Sequence, residues 1–504
     1  MVWLVGPIST LKLDHFRKAN LRSRRGVFLP PLPTHRVRRG ALYHTLRAAI
    51  LDGTLSAGER LPSSRQAASD YQVSRGMVEE VFSQLMDEGF LDRKTGRGTF
   101  VASQIAALDL KTKISKKQPK NRRASRRGMI LAENAACREP AHPIPFNAGI
   151  ADTSLFPWDK WRLLQARATR DLGREGLGFA DPRGLPELRA AIARHLAQFR
   201  GISREPNEIV VFNSAQQALN ALCLLLLEPG QMVWIEDPCY LGARAAFGLA
   251  SAVIVPIPVD EEGIRVDIGI RRAPRVRLVY TTPSHQYPTG VAMSLERRVA
   301  LLEWAQKSRC WIVEDDYDGE FSYAGQAVTP LYSLDPESRV LYIGTLNKSM
   351  FVSLRLAYAV VPQQLVEQLA NIRTQLDGFT SVSGQKTMSL FMDEGYFSAH
   401  LRRMRGVYAE KRSVLMEGLA PLADYGWSWT KSPSGMHLLV RHRKGDLVRR
   451  IAKQSSMDLA LLTAYRAERG LDDGLFLRYA ALNMSVVKSA SAALLETVES
   501  LTVN

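Results

Sequence analysis

The stretch RVLYIGTLNKSMFVSLRL, residues 339–356, decides the fold of the larger part of this chain. Its apolar run, Arg339–Ile343, predicts a buried strand, and Gly344-Thr-Leu-Asn-Lys348 follows directly. Arg355 comes seven residues after Lys348. Polar and basic side chains that follow a strand lie at the edge where open parallel sheets bind ligands. The stretch therefore indicates both a sheet and a candidate site.

Similar strands recur before this stretch. Glu314-Asp-Asp-Tyr-Asp318 follows the apolar run Trp311–Val313 and brings carboxylates to another strand end. Amphipathic runs such as Gln216–Leu227 and Glu296–Ser308 lie between the strands. The other strand candidates are Ile209–Phe212, Met232–Ile235, Val253–Pro256 and Arg277–Tyr280. This alternation predicts an α/β domain over residues 145–504, with a mainly parallel sheet covered by helices.

The amino-terminal part has a different pattern. A first helix is indicated by apolar residues at helical spacing: Leu42, Leu46, Ala49 and Ile50. Leu61-Pro-Ser-Ser-Arg65 opens a second helix, and Val73-Ser-Arg75 opens a third. Phe90-Leu91 and Thr99–Val101 predict two short strands around Gly96-Arg-Gly98. Three helices and a two-stranded wing predict a mostly α winged helix-turn-helix.

The net charge of +17 is concentrated at this end of the chain. Residues 1–144 hold 26 Lys and Arg against 12 Asp and Glu, whereas the remaining residues hold 41 against 38. A basic end joined to a near-neutral domain is typical of a nucleic-acid-binding module, and the alternative is a solubilising basic tail. We expect a flexible arm at 1–34, the winged helix at 35–102 and an extended basic linker at 103–144.

Composition excludes several classes of protein. A chain of 504 residues is too long for one compact core. The longest apolar run, Ala218–Leu227, is about half of what a bilayer requires, and no signal-peptide pattern is present. We therefore expect a cytoplasmic protein with no membrane partner. The four cysteines show no metal-ligand spacing, so we expect reduced thiols and no metal site. They are Cys137, Cys223, Cys239 and Cys310.

DNA recognition needs a helix whose first turn carries short polar or basic side chains. Arg75 occupies that position in the third helix, and Arg65 follows the serine that opens the second. Arg97 lies between two glycines, which let the backbone approach a minor groove closely. The residues expected to contact DNA are Ser63, Ser64, Arg65, Ser74, Arg75, Gly76, Arg97 and Gly98.

Four motifs in this region resemble the GntR-type winged helix in order and spacing. They are Leu61–Arg65, Val73–Arg75, Glu88-Gly-Phe-Leu91 and Gly96-Arg-Gly-Thr-Phe-Val101. The resemblance covers residues 42–101 and implies double-stranded promoter or operator DNA as a partner. The alternative is a winged helix used for protein contacts.

A pyridoxal phosphate (PLP) site needs a lysine, a carboxylate at the pyridinium nitrogen, a stacking aromatic ring and a phosphate cradle. From about Phe146 onward the chain resembles the fold-type I aminotransferases, and specifically the MocR branch of the GntR regulators. The resemblance implies that Lys348 forms the Schiff base and that Asp315 holds the pyridinium nitrogen. It further implies a hydrogen bond from Tyr317 to the phenolic oxygen and a stacking role for Tyr240.

The resemblance also implies the phosphate cradle and the surroundings of the ring. Thr345, Arg355 and the helix start at Ser214-Ala215 would bind phosphate. His285, in Thr282-Pro-Ser-His-Gln-Tyr-Pro-Thr-Gly290, would lie near the cofactor; the alternative is a loop histidine with a structural role. An amino-acid effector needs an arginine for its carboxylate, and the candidates are Arg466 first and Arg478 second.

Several positions depart from the family pattern. Ser214 stands where glycine is usual, Asn347 where a small residue is usual, and Phe179 where a tyrosine reaches the neighbouring subunit's phosphate. Because the lysine, aspartate, tyrosine and arginine are kept, we expect cofactor binding. Because the departures remove flexibility and one phosphate contact, we expect no physiological turnover.

Three interpretations follow. The first is a PLP-dependent transcription regulator, a head-to-tail homodimer in which cofactor or an amino-compound effector modulates promoter binding. The second is an active aminotransferase with an accessory DNA-binding domain, which would convert an amino donor and a keto acid. The third is a regulator that has lost PLP and uses the large domain only to dimerise. Lys348 and Asp315 favour the first two.

Overall fold

The computed structural model describes residues 39–106, 149–323, 328–430, 434–468 and 472–502, together with Pro30, 124–125, 128–129, 132, 145–147 and Gly470. The chain divides into two compact units, residues 1–123 and 124–504. The division falls within the segment interpreted as a linker. Most of the expected arm at 1–34 and of the expected linker at 103–144 lies outside the described part of the chain. Cys137 lies outside it as well.

The first unit is a winged helix-turn-helix, as the sequence predicts. Its helices are α1 (Arg39–Leu51), α2 (Ser64–Tyr71) and α3 (Arg75–Asp87), and its wing strands are β1 (Leu91–Lys94) and β2 (Gly98–Val101). The two strands pair antiparallel, with Leu91 opposite Val101. The apolar faces of the three helices meet in one core that includes Leu42, Leu46, Ile50, Val78, Phe82 and Leu85.

The second unit is built around an eight-stranded sheet. Its strands are β3 (Ile209–Phe212), β4 (Met232–Asp237), β5 (Val253–Asp260), β6 (Gly263–Ile264), β7 (Leu278–Thr281), β8 (Trp311–Asp316), β9 (Val340–Thr345) and β10 (Ala357–Val360). The spatial order is β3-β10-β9-β8-β7-β4-β5-β6. The central strands β9, β8, β7, β4 and β5 are parallel, which confirms the predicted sheet.

Strand β10 was not predicted from the sequence. It runs antiparallel to both of its neighbours, β3 and β9. All four of its residues, Ala-Tyr-Ala-Val, are buried. A four-residue apolar run of this kind has no period that separates a strand from a helix.

Helices cover both faces of the large sheet. The helices of this unit are α4 (Trp158–Leu172), α5 (Pro186–Arg200), α6 (Ala215–Leu226), α7 (Leu241–Leu249), α8 (Val266–Arg272), α9 (Leu295–Ser308), α10 (Gln363–Asp377), α11 (Val382–Asp393), α12 (Tyr396–Leu419), α13 (Gly445–Gln454) and α14 (Met484–Thr502). Successive side chains of β3 enter different cores: Ile209 and Val211 join one, and Val210 and Phe212 join the other. Two covered faces explain why these strands are apolar without alternation.

A second, four-stranded antiparallel sheet lies in the carboxyl-terminal part of the same unit. Its strands are β11 (Ser428–Trp429), β12 (His437–His442), β13 (Ala460–Leu461) and β14 (Asp473–Arg478), in the order β11-β12-β14-β13. His437 lies opposite Arg478 in the register of β12 and β14. The sequence does not indicate this sheet, since two of its strands have only two residues.

Among the helices of the described residues, none is long and apolar enough to cross a membrane. Cys223, Cys239 and Cys310 are buried free thiols.

Candidate functional site

The lysine expected to bind the cofactor lines a cavity in the second unit. Lys348 follows β9 by three residues and is partly buried, and its Nζ donates a hydrogen bond to the Gly149 carbonyl. The residues that line the cavity with it are Gly149, Tyr287, Tyr317, Asp318, Met436, His437, Phe476 and Arg478. Loops of the large sheet and strands of the small sheet thus contribute to one cavity.

Asp315 presents a buried oxygen that lacks a hydrogen-bond donor. Near the end of β8, its Oδ2 accepts a hydrogen bond from the Tyr280 hydroxyl at 2.7 Å. Its Oδ1 is buried and has no partner among the described residues. Burial raises the pKa of this carboxyl to about 7, and the negative charges of Asp316 and Asp318 add to the effect. A buried acceptor without a donor costs free energy, and a pyridinium N–H is a donor of suitable chemistry.

Tyr317 belongs to a chain of buried polar groups. Its hydroxyl lies 2.9 Å from Nδ1 of His285, and the same nitrogen lies 3.0 Å from Oδ2 of Asp318. His285 and Asp318 are 4% and 2% exposed, so little water reaches these contacts. Burial raises the pKa of the Tyr317 phenol well above its usual range, which keeps its proton available for donation.

Tyr240 lies beside the cavity without being among its lining residues. It precedes α7 directly, and its ring meets the ring of Tyr287 edge-on with a centroid distance of 5.8 Å. Tyr287 lines the cavity. Tyr240 is therefore one aromatic ring away from the residues around Lys348.

The strand register brings the predicted phosphate-binding residues to one edge of the sheet. Ala357 of β10 lies opposite both Phe212 of β3 and Thr345 of β9. Ser214 comes two residues after Phe212, and Arg355 two residues before Ala357, so both flank the same edge as Thr345. Residues separated by more than 130 positions in sequence thus become neighbours at the ends of adjacent strands.

Each of these groups has a defined local setting. Ser214 caps α6, and its side chain accepts a hydrogen bond from the Gln217 backbone N–H at 3.1 Å. Ala215 begins that helix, whose first N–H groups suit an anion. The Thr345 Oγ1 accepts a hydrogen bond from the Asn347 N–H at 3.2 Å. Arg355 is exposed and has a φ of 56°.

The two arginines proposed for an effector carboxylate differ in their surroundings. Arg466 donates two hydrogen bonds to the Asp472 carboxylate, at 2.9 and 3.1 Å, and does not line the cavity. Arg478 does line the cavity, and its Nη2 donates to the hydroxyls of Tyr465 at 2.6 Å and Tyr287 at 3.2 Å. Only the second candidate is thus close to Lys348.

Sequence reasoning did not single out several residues of this cavity. His437 begins β12, far from every quoted motif, and its position opposite Arg478 appears only once the small sheet is formed. Tyr287 belongs to the Thr282–Gly290 motif, which by itself indicates no role for it. Asp318, by contrast, directly follows Tyr317 in the quoted carboxylate run, so proximity to that run was an available signal.

The residues expected to contact DNA lie on or beside α2, α3 and the wing. Ser63 caps α2 by accepting from the Gln66 N–H, and Ser74 caps α3 by accepting from the Met77 N–H, both at 3.2 Å. Arg75 begins α3, is exposed, and donates to the Ser64 hydroxyl at 3.4 Å. Arg65 and Gly76 are also exposed.

The turn of the wing carries the remaining DNA candidates. Arg97 is exposed between Gly96 and Gly98, whose φ angles of 74° and 110° favour glycine. A Cβ at Gly98 would lie 3.1 Å from the Arg60 Nε, so the wing also needs a small residue here. Together the exposed basic groups form a surface with the chemistry of a DNA-binding face.

Comparisons with known proteins match both units. The family "Bacterial regulatory proteins, gntR family" matches residues 38–101, and "Aminotransferase class I and II" matches residues 142–464.

Two bacterial regulators are similar over most of the chain. "Probable rhizopine catabolism regulatory protein MocR" of Rhizobium meliloti is 34% identical over 91% of this chain and 92% of that protein. The "HTH-type pyridoxine biosynthesis transcriptional regulator PdxR" of Corynebacterium glutamicum is 27% identical over 86% of this chain and 90% of that protein.

A solved enzyme is also similar. The crystal structure of Pyrococcus horikoshii kynurenine aminotransferase, in complex with PMP, is 26% identical and has a TM-score of 0.66. The match covers 78% of this chain and 99% of that one.

Proposed function

The chain belongs to the MocR-type transcription regulators, in which a GntR-type DNA-binding domain is joined to an aminotransferase-like domain that binds PLP, and from this premise we propose that occupancy of the second domain controls binding of the first to its operator. Control of this kind requires that cofactor or effector bind two arrangements of the protein with different affinity.

The proposal that α3 reads DNA is supported by its cap and its exposed first turn. The Ser74 hydroxyl accepts a hydrogen bond from the Met77 N–H and so caps the start of the helix. Arg75, the next residue, is exposed. Arg65 and Arg97 are exposed on the neighbouring elements. Basic groups on several elements are suited to phosphates on both sides of a groove, while the helix start contacts base edges.

The roles proposed for the cofactor-binding residues rest on the cavity around Lys348. Bound PLP supplies an electron-withdrawing ring that is covalently held by a lysine amine. Oδ1 of Asp315 would accept the pyridinium N–H, and Tyr317 would donate its proton to the phenolic oxygen. Ser214, Ala215, Thr345 and Arg355 would hold the phosphate, while Tyr240 would stack on the ring.

The effector is proposed to be an amino compound with a carboxylate. Arg478 supports this because its guanidinium lines the same cavity as Lys348, with Tyr287 and Tyr465 as neutral hydrogen-bond partners. Arg466 supports it less well because its guanidinium is engaged by Asp472.

We also propose a homodimer in the cytoplasm, where both DNA and cofactor are available. Apolar side chains exposed on a single chain are candidates for contact with a second copy. The exposed fraction of Phe179 is 100% and that of Leu177 is 87%, and Leu163 and Trp158 are also more than half exposed. Sedimentation of the purified protein at micromolar concentration should give twice the chain mass; a single-chain mass would refute the dimer.

The observation that carries the regulatory proposal is the buried Oδ1 of Asp315, which has no hydrogen-bond donor among the described residues. This oxygen lies in the same unit as Lys348 and is available to a bound cofactor. The test is binding of the protein to DNA from around its own gene, titrated with PLP, for wild type and Lys348→Ala. We expect PLP to change the affinity or footprint of wild type and not of the variant. Equal binding under all conditions would overturn cofactor control.

A second function, transamination, is favoured by Lys348 and Tyr317 in the lining of one cavity, together with the buried carboxylate of Asp315 two residues before Tyr317. An aminotransferase would exchange amino groups between an amino acid and a keto acid over many turnovers. Product formation beyond one equivalent per chain, lost in Lys348→Ala, would establish it. A single half-reaction or none would leave regulation as the function.

A further inference from the structure

A cluster of three buried metal-ligating side chains lies beside the cavity, and two of its members, Asp318 and His437, line it. It consists of His285, Asp318 and His437, and the candidate ligand atoms all lie within 4.8 Å of one another. They come from different elements: a loop after β7, a loop after β8 and the first residue of β12. The expectation of no metal rested on cysteine spacing, which does not report on residues that only the fold brings together.

His437 has the hydrogen-bonding arrangement of a metal ligand. Its Nε2 is buried and has no hydrogen-bond partner among the described residues, although the residue is only 5% exposed. The backbone of Pro288 lies close enough to influence this ring. A histidine that binds a metal typically directs one nitrogen at the ion while a neighbouring group holds the other, and the unpartnered Nε2 is available for the first role.

In the other two ligands, His285 and Asp318, one ring nitrogen has two hydrogen-bond partners. Nδ1 of His285 lies 3.0 Å from Oδ2 of Asp318 and 2.9 Å from the Tyr317 hydroxyl. One ring nitrogen either donates or accepts, so it cannot satisfy the carboxylate as a donor and the phenol as an acceptor at once. A cation bound between the nitrogen and the carboxylate would resolve this conflict.

The His285 ring is also fixed in position. A Cβ on Gly435 would lie 1.9 Å from Cε1 of His285, and a Cβ on Gly290 would lie 3.1 Å from Nε2. Both glycines have positive φ, 86° and 75°, so the ring lies between two backbone turns that only glycine readily forms. A ligand held in this way loses little conformational freedom when it binds an ion.

We propose that His285, Asp318 and His437 bind one divalent transition-metal ion, with Zn²⁺ as the preferred ion. Two imidazoles and a carboxylate suit zinc, which binds such ligands at about 2.0–2.2 Å. At those bond lengths, adjacent ligand atoms around a tetrahedral ion are about 3.3 Å apart. The candidate ligand atoms lie within 4.8 Å of one another, so the distance between them would shorten by at most about 1.5 Å when the ion binds. Water would fill the fourth position.

The Asp318 carboxylate supplies the negative charge of the cluster. Asp318 is buried, and the one hydrogen bond described for its carboxylate is with a ring nitrogen of His285. With two imidazoles and this carboxylate, a divalent ion leaves a net charge of +1 at the site. The nearby Asp315 carboxyl, which interacts with Asp318, offsets this charge, whereas Lys348 and Arg478 act on His437 from the same cavity.

The test is calorimetric titration of untagged, full-length protein with ZnCl₂, with metal quantified after dialysis. We expect one Zn²⁺ per chain, with affinity lowered by about 100-fold or more in His437→Ala and in Asp318→Asn. His442→Ala, at a partly exposed position outside the cluster, is the matched control and should leave the affinity unchanged. Absence of stoichiometric binding, or equal binding by wild type and both cluster variants, would overturn the site.

A measurement on wild type alone covers the case in which the variants misfold. X-ray absorption at the zinc edge should show two imidazole nitrogens and oxygen ligands at about 2.0–2.2 Å. A shell of oxygen atoms alone would show adventitious surface binding and would overturn the proposal. PLP and operator binding measured on the same preparation separate this result from a failure of the proposed function.

Discussion

Asp315→Asn should stabilise the cofactor-free protein above neutral pH while weakening its binding of PLP. The wild-type carboxyl is buried, and its pKa is raised from 3.8 to about 7, chiefly because burial disfavours the charged form. An acid with a raised pKa in the folded state contributes stability below pH 3.8 and loses it progressively as the pH rises to about 7. Asparagine has nearly the same shape, carries no charge and keeps an acceptor for the Tyr280 hydroxyl.

The magnitude follows from the two pKa values. The interval between 3.8 and about 7 corresponds to about 4 kcal/mol of unfolding free energy at pH 8, and to less than about 2 kcal/mol at pH 5. For a unit of residues 124–504, the entropy of unfolding is about 0.8 kcal/mol/K. The variant should therefore unfold about 5 °C higher than wild type at pH 8, and about 2 °C higher at pH 5.

The assay is thermal unfolding of cofactor-free protein, followed by calorimetry at both pH values. Asp424→Asn makes the same chemical change at an exposed position of the same unit and should shift neither midpoint. If the gain from Asp315→Asn is equal at pH 5 and pH 8, the carboxyl does not titrate as a buried group and the reasoning fails.

The same substitution should weaken cofactor binding. A hydrogen bond between charged groups contributes about 1.5–3 kcal/mol, so the Kd for PLP should rise about 10- to 150-fold. An absorbance titration measures this change. An unchanged Kd would show that Oδ1 of Asp315 does not contact the ring nitrogen.

Three further outcomes are expected. Arg75→Ala should weaken operator binding by about 1–3 kcal/mol if this side chain contacts a base, and unaltered binding in a gel-shift titration would contradict the placement of α3 on DNA. Ser74→Ala removes the cap of α3 and should destabilise the first unit by about 1 kcal/mol, measured by urea unfolding; Ser74→Asp should restore most of it. Gly435→Ala places a Cβ 1.9 Å from the His285 ring at a φ of 86°. It should therefore lower the midpoint of unfolding and change the spectrum of bound PLP. The control Gly384→Ala, which has open space around the new Cβ, should do neither.

The parts of the fold that the sequence predicts are those with a local signal. The caps at Ser63 and Ser74 and the apolar spacing of α1 predict the winged helix, because each depends on a few adjacent residues. The buried strands β3 and β9 are recognisable because both faces of the sheet are covered and the runs are uninterrupted. Strand β10 is not recognisable in this way, since its four residues, Ala-Tyr-Ala-Val, could equally form one turn of a buried helix.

The site shows the same division. Asp315 and Lys348 follow strands and could be assigned to one sheet edge from the sequence. The choice between Arg466 and Arg478 could not be made, because it depends on the side chain of Asp472 and on the pairing of β12 with β14. His437 carries no local signal, since its two partners in the cluster, His285 and Asp318, lie more than 100 residues away in sequence.

The position of β10 also sets the order in which this protein can mature. Among the described strands of the sheet, β3 pairs with β10 alone, and β10 is also the neighbour of β9. During synthesis, residues 209–212 therefore wait for residues 357–360 to leave the ribosome before they gain their partner. The helix start at Ser214 and the edge at Thr345 are not aligned until then. We therefore expect a nascent chain to complete the proposed phosphate-binding edge, and to bind PLP there, only after residues 357–360 have been translated.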